Sequence, residues 1–367
     1  MQRRRQGAAA RIETSPRGGF TETEPPPMAR KTAAVRRPAT TAPTATTAGT
    51  DPVRTGPSLP VRGIAAGVLA LVGLGVVAAV GTAGGAAAAS HATDAALGVR
   101  TVGYTTSAIP TARNTGVPAG TTLKAHYGDM KITKAGTVLD GLDIHGFVTI
   151  AAPNVTIKNS IIRGGKATGF TALVRNLDKS ATNFVLTDSE LVPQFPSVYI
   201  DGLMGANYTA IRLNIHGGVD GAKVLGDNTT IRNSYLHDTV TYAHDPNQGG
   251  GRTHNDAIQV LGGNNVKLTN NTILGGANSA LQVTQQTDNT NGLVFANNWV
   301  GGGGCSVNVA VKGMSAMTGV NLSGNRFYRT SIYKCPMIVD TTVKADTSNN
   351  RYLDNNAAIA INWRTPK

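Results

Sequence analysis

The chain has 367 residues and a formal net charge of +13, yet only 15% of its residues are charged and 5% aromatic, with 44 glycines. Two cysteines exclude a disulfide-dense scaffold and a four-cysteine zinc site. The charge is uneven: residues 1–62 carry 11 Lys/Arg against 4 Asp/Glu, and every asparagine lies at or after Asn114, so at least two physically different regions are present.

Residues 1–62 hold nine of the 17 prolines and few large apolar side chains. Such a segment cannot bury enough surface to offset its chain entropy, which predicts a disordered tail. Its basic clusters, Arg3-Arg4-Arg5 and Arg36-Arg37 among them, suit a cytoplasmic position near anionic lipid. From Gly63 to Thr93 there is no Asp, Glu, Lys or Arg. The apolar core Ile64–Val80 would span about 26 Å as a helix, close to the hydrocarbon thickness. Residues 63–85 are therefore expected to form one transmembrane helix or signal anchor. Arg54 and Arg62 precede it and no basic residue follows before Arg100, which puts the C-terminal part outside. Ala86–Ser90 also suits leader cleavage, leaving anchored and secreted readings open. Residues 86–115 read as a stalk, and 116–367 as the exported domain.

From residue 154 a unit recurs: NVTIKNSII (154–162), NFVLTDSEL (183–191), NYTAIRLNI (207–215), NTTIRNSYL (228–236), NVKLTNNTI (265–273), NGLVFANNW (291–299), GVNLSGNRF (319–327) and VKADTSNNRY (343–352). Aligning the second residue of each polar pair selects Ser160, Ser189, Asn214, Ser234, Asn271, Asn298, Asn325 and Asn350. Asn159, Asn233, Asn270 and Asn297 then stack as a ladder of amides. Apolar residues alternate with period two inside each unit, which is strand rather than helix. Second strands such as VYI (198–200), AKV (222–224), IQV (258–260) and LQV (281–283) lie between units. A fixed period of short strands predicts an all-β solenoid, a parallel β-helix of eight or nine coils. Asn suits its turns because it tolerates the left-handed conformation.

The entry segment GVPAGTTL (116–123), the run GTVLDGLDIHGFVTIAAPNVTIKNSIIRGG (136–165), and HNDAIQV (254–260) with NNVKLTNNTILGG (264–276) resemble the right-handed parallel β-helix proteins of the pectate-lyase-like superfamily, in their exported or anchored form. The resemblance covers residues 116–362 and implies the fold. It does not choose among the superfamily's lyases, hydrolases, epimerases, esterases and non-catalytic proteins.

One spacing is too long, because His237–Ile258 holds ten or more extra residues. Insertions in a solenoid form loops on one face, often the binding face. This one concentrates His237, Asp238, His244, Asp245, Arg252, His254 and Asp256. The alignment of DGAKV (220–224), DAIQV (256–260), SALQV (279–283) and SVNV (306–309) puts Lys223, Gln259, Gln282 and Asn308 outward in a row. Tyr199 is the expected equivalent one coil earlier. Strand spacing of about 4.8 Å makes such a row suitable for hydrogen-bonding an extended polysaccharide, with His244 on the loop as a further contact. Asp201, Asp220 and Asp256 lie at the edge of this wall.

Three chemistries remain open. A lyase similar to those of the superfamily would use Lys223 or Arg252 as base or clamp, with Ca²⁺ held by Asp220, Asp245 and Asp256. A hydrolase would pair Asp220 with Asp256. Proton transfer through His254 beside Asp256 is the third. The rival reading is a non-catalytic glycan-binding or envelope protein. No basic stripe with interleaved aromatics points to nucleic acid. Cys305 and Cys335, about one coil apart, are expected to join neighbouring coils through a disulfide outside the cell.

Overall fold

The computed structural model describes residues 108–366. The predicted tail, transmembrane helix and most of the stalk lie outside the described residues. Among the described residues no helix is long and apolar enough to cross a membrane.

The domain is a parallel β-helix. Three parallel sheets, here called A, B and C, hold ten, ten and nine strands. Each runs in chain order, so every coil adds one strand to each sheet. Sheet A starts at Lys124–Tyr127, sheet B at Met130–Ile132 and sheet C at Val138–Asp140. Ten strands in two sheets exceed the eight or nine coils expected, because the coils before residue 154 and after residue 340 lack the full repeat.

The period-two pattern packs the interior. In sheet A the register aligns Leu191, Ile215, Leu236, Ile273, Val300 and Phe327. In sheet B it aligns Ala222, Ile258, Leu281, Val307 and Met337. All of these residues are buried. Parallel pairing in register puts like on like, so each coil's apolar residues close over those of the next.

Each coil turns two tight corners around sheet C. Asn154, Asn183, Asn207, Asn228 and Asn265, at φ 53–58°, make the corner before it. Asn159, Asp188, Arg212, Asn233, Asn270 and Asn297 make the corner after it, again with positive φ. These left-handed positions explain the asparagine content of the exported part. Arg212 is the exception, and its guanidinium is held by Asp188 at 2.7 and 2.9 Å in a buried pair.

The buried ladder lies one residue beyond the expected one. Asn159, Asn233, Asn270 and Asn297 serve the turn. The stacked amides are Asn271, Asn298, Asn325 and Asn350, each accepting from the backbone N–H of the ladder residue one coil before, beginning with Ser234. Ser160 donates its N–H to Ser189 Oγ in the same position. Leu213, not Asn214, occupies the place between Ser189 and Ser234, since its N–H meets Ser234 Oγ. Asn214 faces outward.

Cys305 and Cys335 form a disulfide, with Cα atoms 4.6 Å apart. They pair directly in register on adjacent strands of sheet B.

Candidate functional site

The outward row on sheet B is present. Lys223 pairs with Gln259, Gln259 with Gln282, and Gln282 with Asn308. Lys223, Gln259 and Asn308 are half-buried, while Gln282 is buried and receives the Ser279 hydroxyl. Asn308 accepts from Arg364 at 3.1 Å. Tyr199 is not in the row. Its strand begins at Ile200 and runs to Gly205, which places Met204 opposite both Lys223 and Arg175. The segment DGLMG (201–205) repeats the DGAKV pattern, and this signal identifies the right equivalent.

At the entrance of the same strands three aspartates stack on successive coils. The N–H of Asp220 donates to Asp201 Oδ1 at 3.0 Å, and that of Asp256 to Asp220 Oδ1 at 2.8 Å. Asn278 Nδ2 donates to Asp256 Oδ1 at 2.9 Å. The three residues are at most 2% exposed. Lys223 Nζ bridges Asp201 Oδ2 at 2.9 Å and Asp220 Oδ2 at 2.8 Å. It also lies 4.7 Å from the centre of the Phe170 ring. Strict alternation would put residues 220 and 223 on opposite faces. The small residues between them allow the entry to bend: a Cβ on Gly221 would meet Ala257 O at 2.5 Å, and one on Gly202 would meet Gly221 O. Aspartate-glycine pairs therefore recur here.

The electrostatics divide the group. Burial pulls the Lys223 amine down, but the Asp220 and Asp201 carboxylates outweigh it and hold the amine above its ordinary value. Lys223 is held between the two carboxylates as a cation. Burial, then the neighbouring Asp220 charge, raises the Asp201 carboxyl to about 7. The same two causes raise Asp256 well above the carboxylate range. Asp256 Oδ2 has no hydrogen-bond partner. One lysine beside three buried carboxyls leaves excess negative charge, which protons relieve.

The insertion leaves sheet A after Tyr235–Leu236 and rejoins sheet B at Asp256–Val260. Asn255 fastens it: its side chain bonds Thr239, Thr241 and the N–H of Ala277. Asp245 accepts from Asn247 N and caps a short 3₁₀ turn at Pro246–Gln248. His244 is exposed and its Nδ1 meets Gly250 O at 3.3 Å. Arg252 and His254 are exposed as well. No hydrogen bond or ion pair joins Arg252, His244 or His254 to the aspartates. The expected catalytic set is therefore divided: Asp220, Lys223 and Asp256 converge with Asp201, whereas Arg252 and His254 stay on the loop. The expected metal set of Asp220, Asp245 and Asp256 is not assembled, because Asp245 is used in its own turn. Among the described residues no group of three or more His, Cys, Asp or Glu side chains is arranged to hold a metal ion.

No family model, curated protein or solved structure matches this chain.

Proposed function

We propose that this chain is a right-handed, pectate-lyase-like β-helix, held outside the cell by residues 63–85, that binds an extended polysaccharide along the outer face of sheet B. The observation that carries this reading is the register of Lys223, Gln259, Gln282 and Asn308 on four consecutive strands. Repeating hydrogen-bonding groups at the strand spacing match a repeating ligand. Phe170 and Phe195 are about half exposed and carry lysines on their faces, Lys223 and Lys166 respectively. They add apolar surface beside the row.

Binding is tested with the full chain, against acidic and neutral polysaccharides, with and without Ca²⁺. The triple variant Q259A/Q282A/N308A is expected to bind at least tenfold more weakly with an unchanged circular dichroism spectrum. Unchanged affinity would overturn the assignment of this face.

One observation favours a second reading, a glycoside hydrolase. Asp256 and Asp220 stack on neighbouring coils, and burial with the Asp220 charge raises the Asp256 carboxyl, the arrangement a general acid beside a carboxylate needs. Both are buried, so a sugar reaches them only if the side chains around them move. Release of reducing ends by the wild type and its loss in D256N would establish cleavage.

A further inference from the structure

The outer face of sheet A carries a second group of chemistry-bearing side chains, on strands separate from the row on sheet B. Tyr235 pairs in register with Thr272, and Thr272 with Trp299. Three rings stack beside them: Tyr235 on His237 at 3.9 Å and 14°, and His237 on His216 at 4.9 Å and 21°. Each imidazole is held by polar partners. His216 Nε2 meets Glu190 Oε1 at 2.8 Å. His237 Nδ1 meets Asp238 Oδ2 at 2.7 Å, and its Nε2 meets Asn214 Oδ1 at 3.0 Å. Asn214 in turn donates to Glu190 at 3.4 Å. Gly116 of the entry segment packs here too, beside Asn214 and Glu190, with its N–H on Arg212 O.

The stack is therefore fixed before any ligand arrives, which lowers the ordering cost of binding. It is also accessible. Tyr235, Trp299, Tyr328 and His216 are half-buried, and Asp238 is exposed. Burial, then the nearby Asp238 carboxylate and Tyr328 phenol, raise the Tyr235 phenol above its ordinary value. Tyr328 lies two residues beyond the register partner of Trp299, with its N–H on Val300 O. Between Tyr235 and Trp299, the Thr272 hydroxyl is buried without a hydrogen-bond partner.

Aromatic rings that offer apolar surface next to fixed acceptors suit a ligand whose ring faces are C–H and whose edges are hydroxyl. Glu190 and Asp238 make the rim carboxylate at the Tyr235 end, which disfavours a polyanion there, while Arg326 borders Trp299 at the other end. We propose that the outer face of sheet A is a second saccharide-binding site, selective for a neutral sugar chain, formed by Tyr235, Trp299 and Tyr328 with Glu190, His216 and Asp238 at its rim. It does not depend on the reading of sheet B, whose row lies on separate strands.

The sequence has two tryptophans, and W363F leaves Trp299 as the single fluorescent reporter in the full chain. Hexasaccharides of β-1,4-glucose and β-1,4-N-acetylglucosamine serve as neutral probes, and α-1,4-galacturonate as the acidic control. A neutral probe is expected to shift Trp299 emission saturably, and galacturonate is not. Y235A and Y328A should weaken that binding at least tenfold, with folding checked by circular dichroism. E190Q, a half-exposed and nearly isosteric change, should weaken it severalfold even if the ring variants fold poorly. Q259A/Q282A/N308A should leave it unchanged. The proposal is overturned if neither neutral probe moves Trp299, if E190Q and the folded ring variants bind as the parent does, or if the sheet B variant abolishes the signal.

Discussion

Asp256 shows how position sets the chemistry of a residue. Its carboxyl is fully buried, accepts from the Asn278 amide and leaves the second oxygen unpaired. Burial and the Asp220 charge raise its pKa. The unfolded chain holds the same group near 3.9. The native state therefore binds more protons above that value, and stability falls as pH rises. Asp201 acts in the same direction and completes its loss as pH passes about 7. The wild type is thus expected to melt at a higher temperature at pH 5 than at pH 8. D256N keeps the acceptor for Asn278 and removes one of these charges. It should be more stable than the wild type at pH 8, with the gap shrinking toward pH 5. Thermal melts at both pH values check this, and a D256N that is equally destabilised at both would show the carboxyl is needed in its charged form. The row of Lys223, Gln259, Gln282 and Asn308 was legible in sequence because alternation and repeat length are local. The Asp201–Lys223 contact was not, since it depends on a bend at Gly202 and Gly221 that breaks alternation.

At the scale of the coil, the repeat was readable but its phase at one unit was not. Aligning polar pairs by residue type selects Asn214, because Asn elsewhere fills the ladder. The backbone instead places Leu213 there, with its N–H on the Ser234 hydroxyl. Side-chain identity misleads where a corner tolerates Asn both in the turn and in the ladder. The ladder itself is the element that most constrains the stack. Asn298 Oδ1 accepts from Asn271 N and Nδ2, while Asn298 Nδ2 donates to Leu268 O. Replacing Asn298 by Ala leaves buried backbone groups unpaired, each costing about 1–3 kcal/mol. N298A is expected to lose roughly 3 kcal/mol or more in urea unfolding. N297A, on the exposed turn, should lose less, because there the cost is confined to a left-handed residue at about 1–2 kcal/mol. Equal losses would show that the amide ladder contributes nothing beyond the turn.

Across the described coils, contacts run mainly between neighbours, with a few reaching one coil further such as Arg364 on Asn308, so stability is approximately a chain of nearest-neighbour terms. The disulfide is placed within that chain. It ties Cys305 to Cys335, residues already paired in register, and closes a segment with a sequence separation of 30. Its effect falls on the unfolded ensemble and amounts to about 3–4 kcal/mol for a loop of this size. In a compact globule such a loss would be shared by every element. In a stacked coil it should be local. The strands at Arg326–Phe327, Arg351–Tyr352 and Ile361–Arg364 are joined to the stack chiefly through this coil. The double variant C305A/C335A is therefore expected to show faster backbone hydrogen exchange across residues 326–364. Exchange across residues 142–215 should stay at the wild-type rate. A uniform acceleration along all ten coils would mean that the solenoid unfolds as one cooperative unit and that nearest-neighbour accounting does not apply to it.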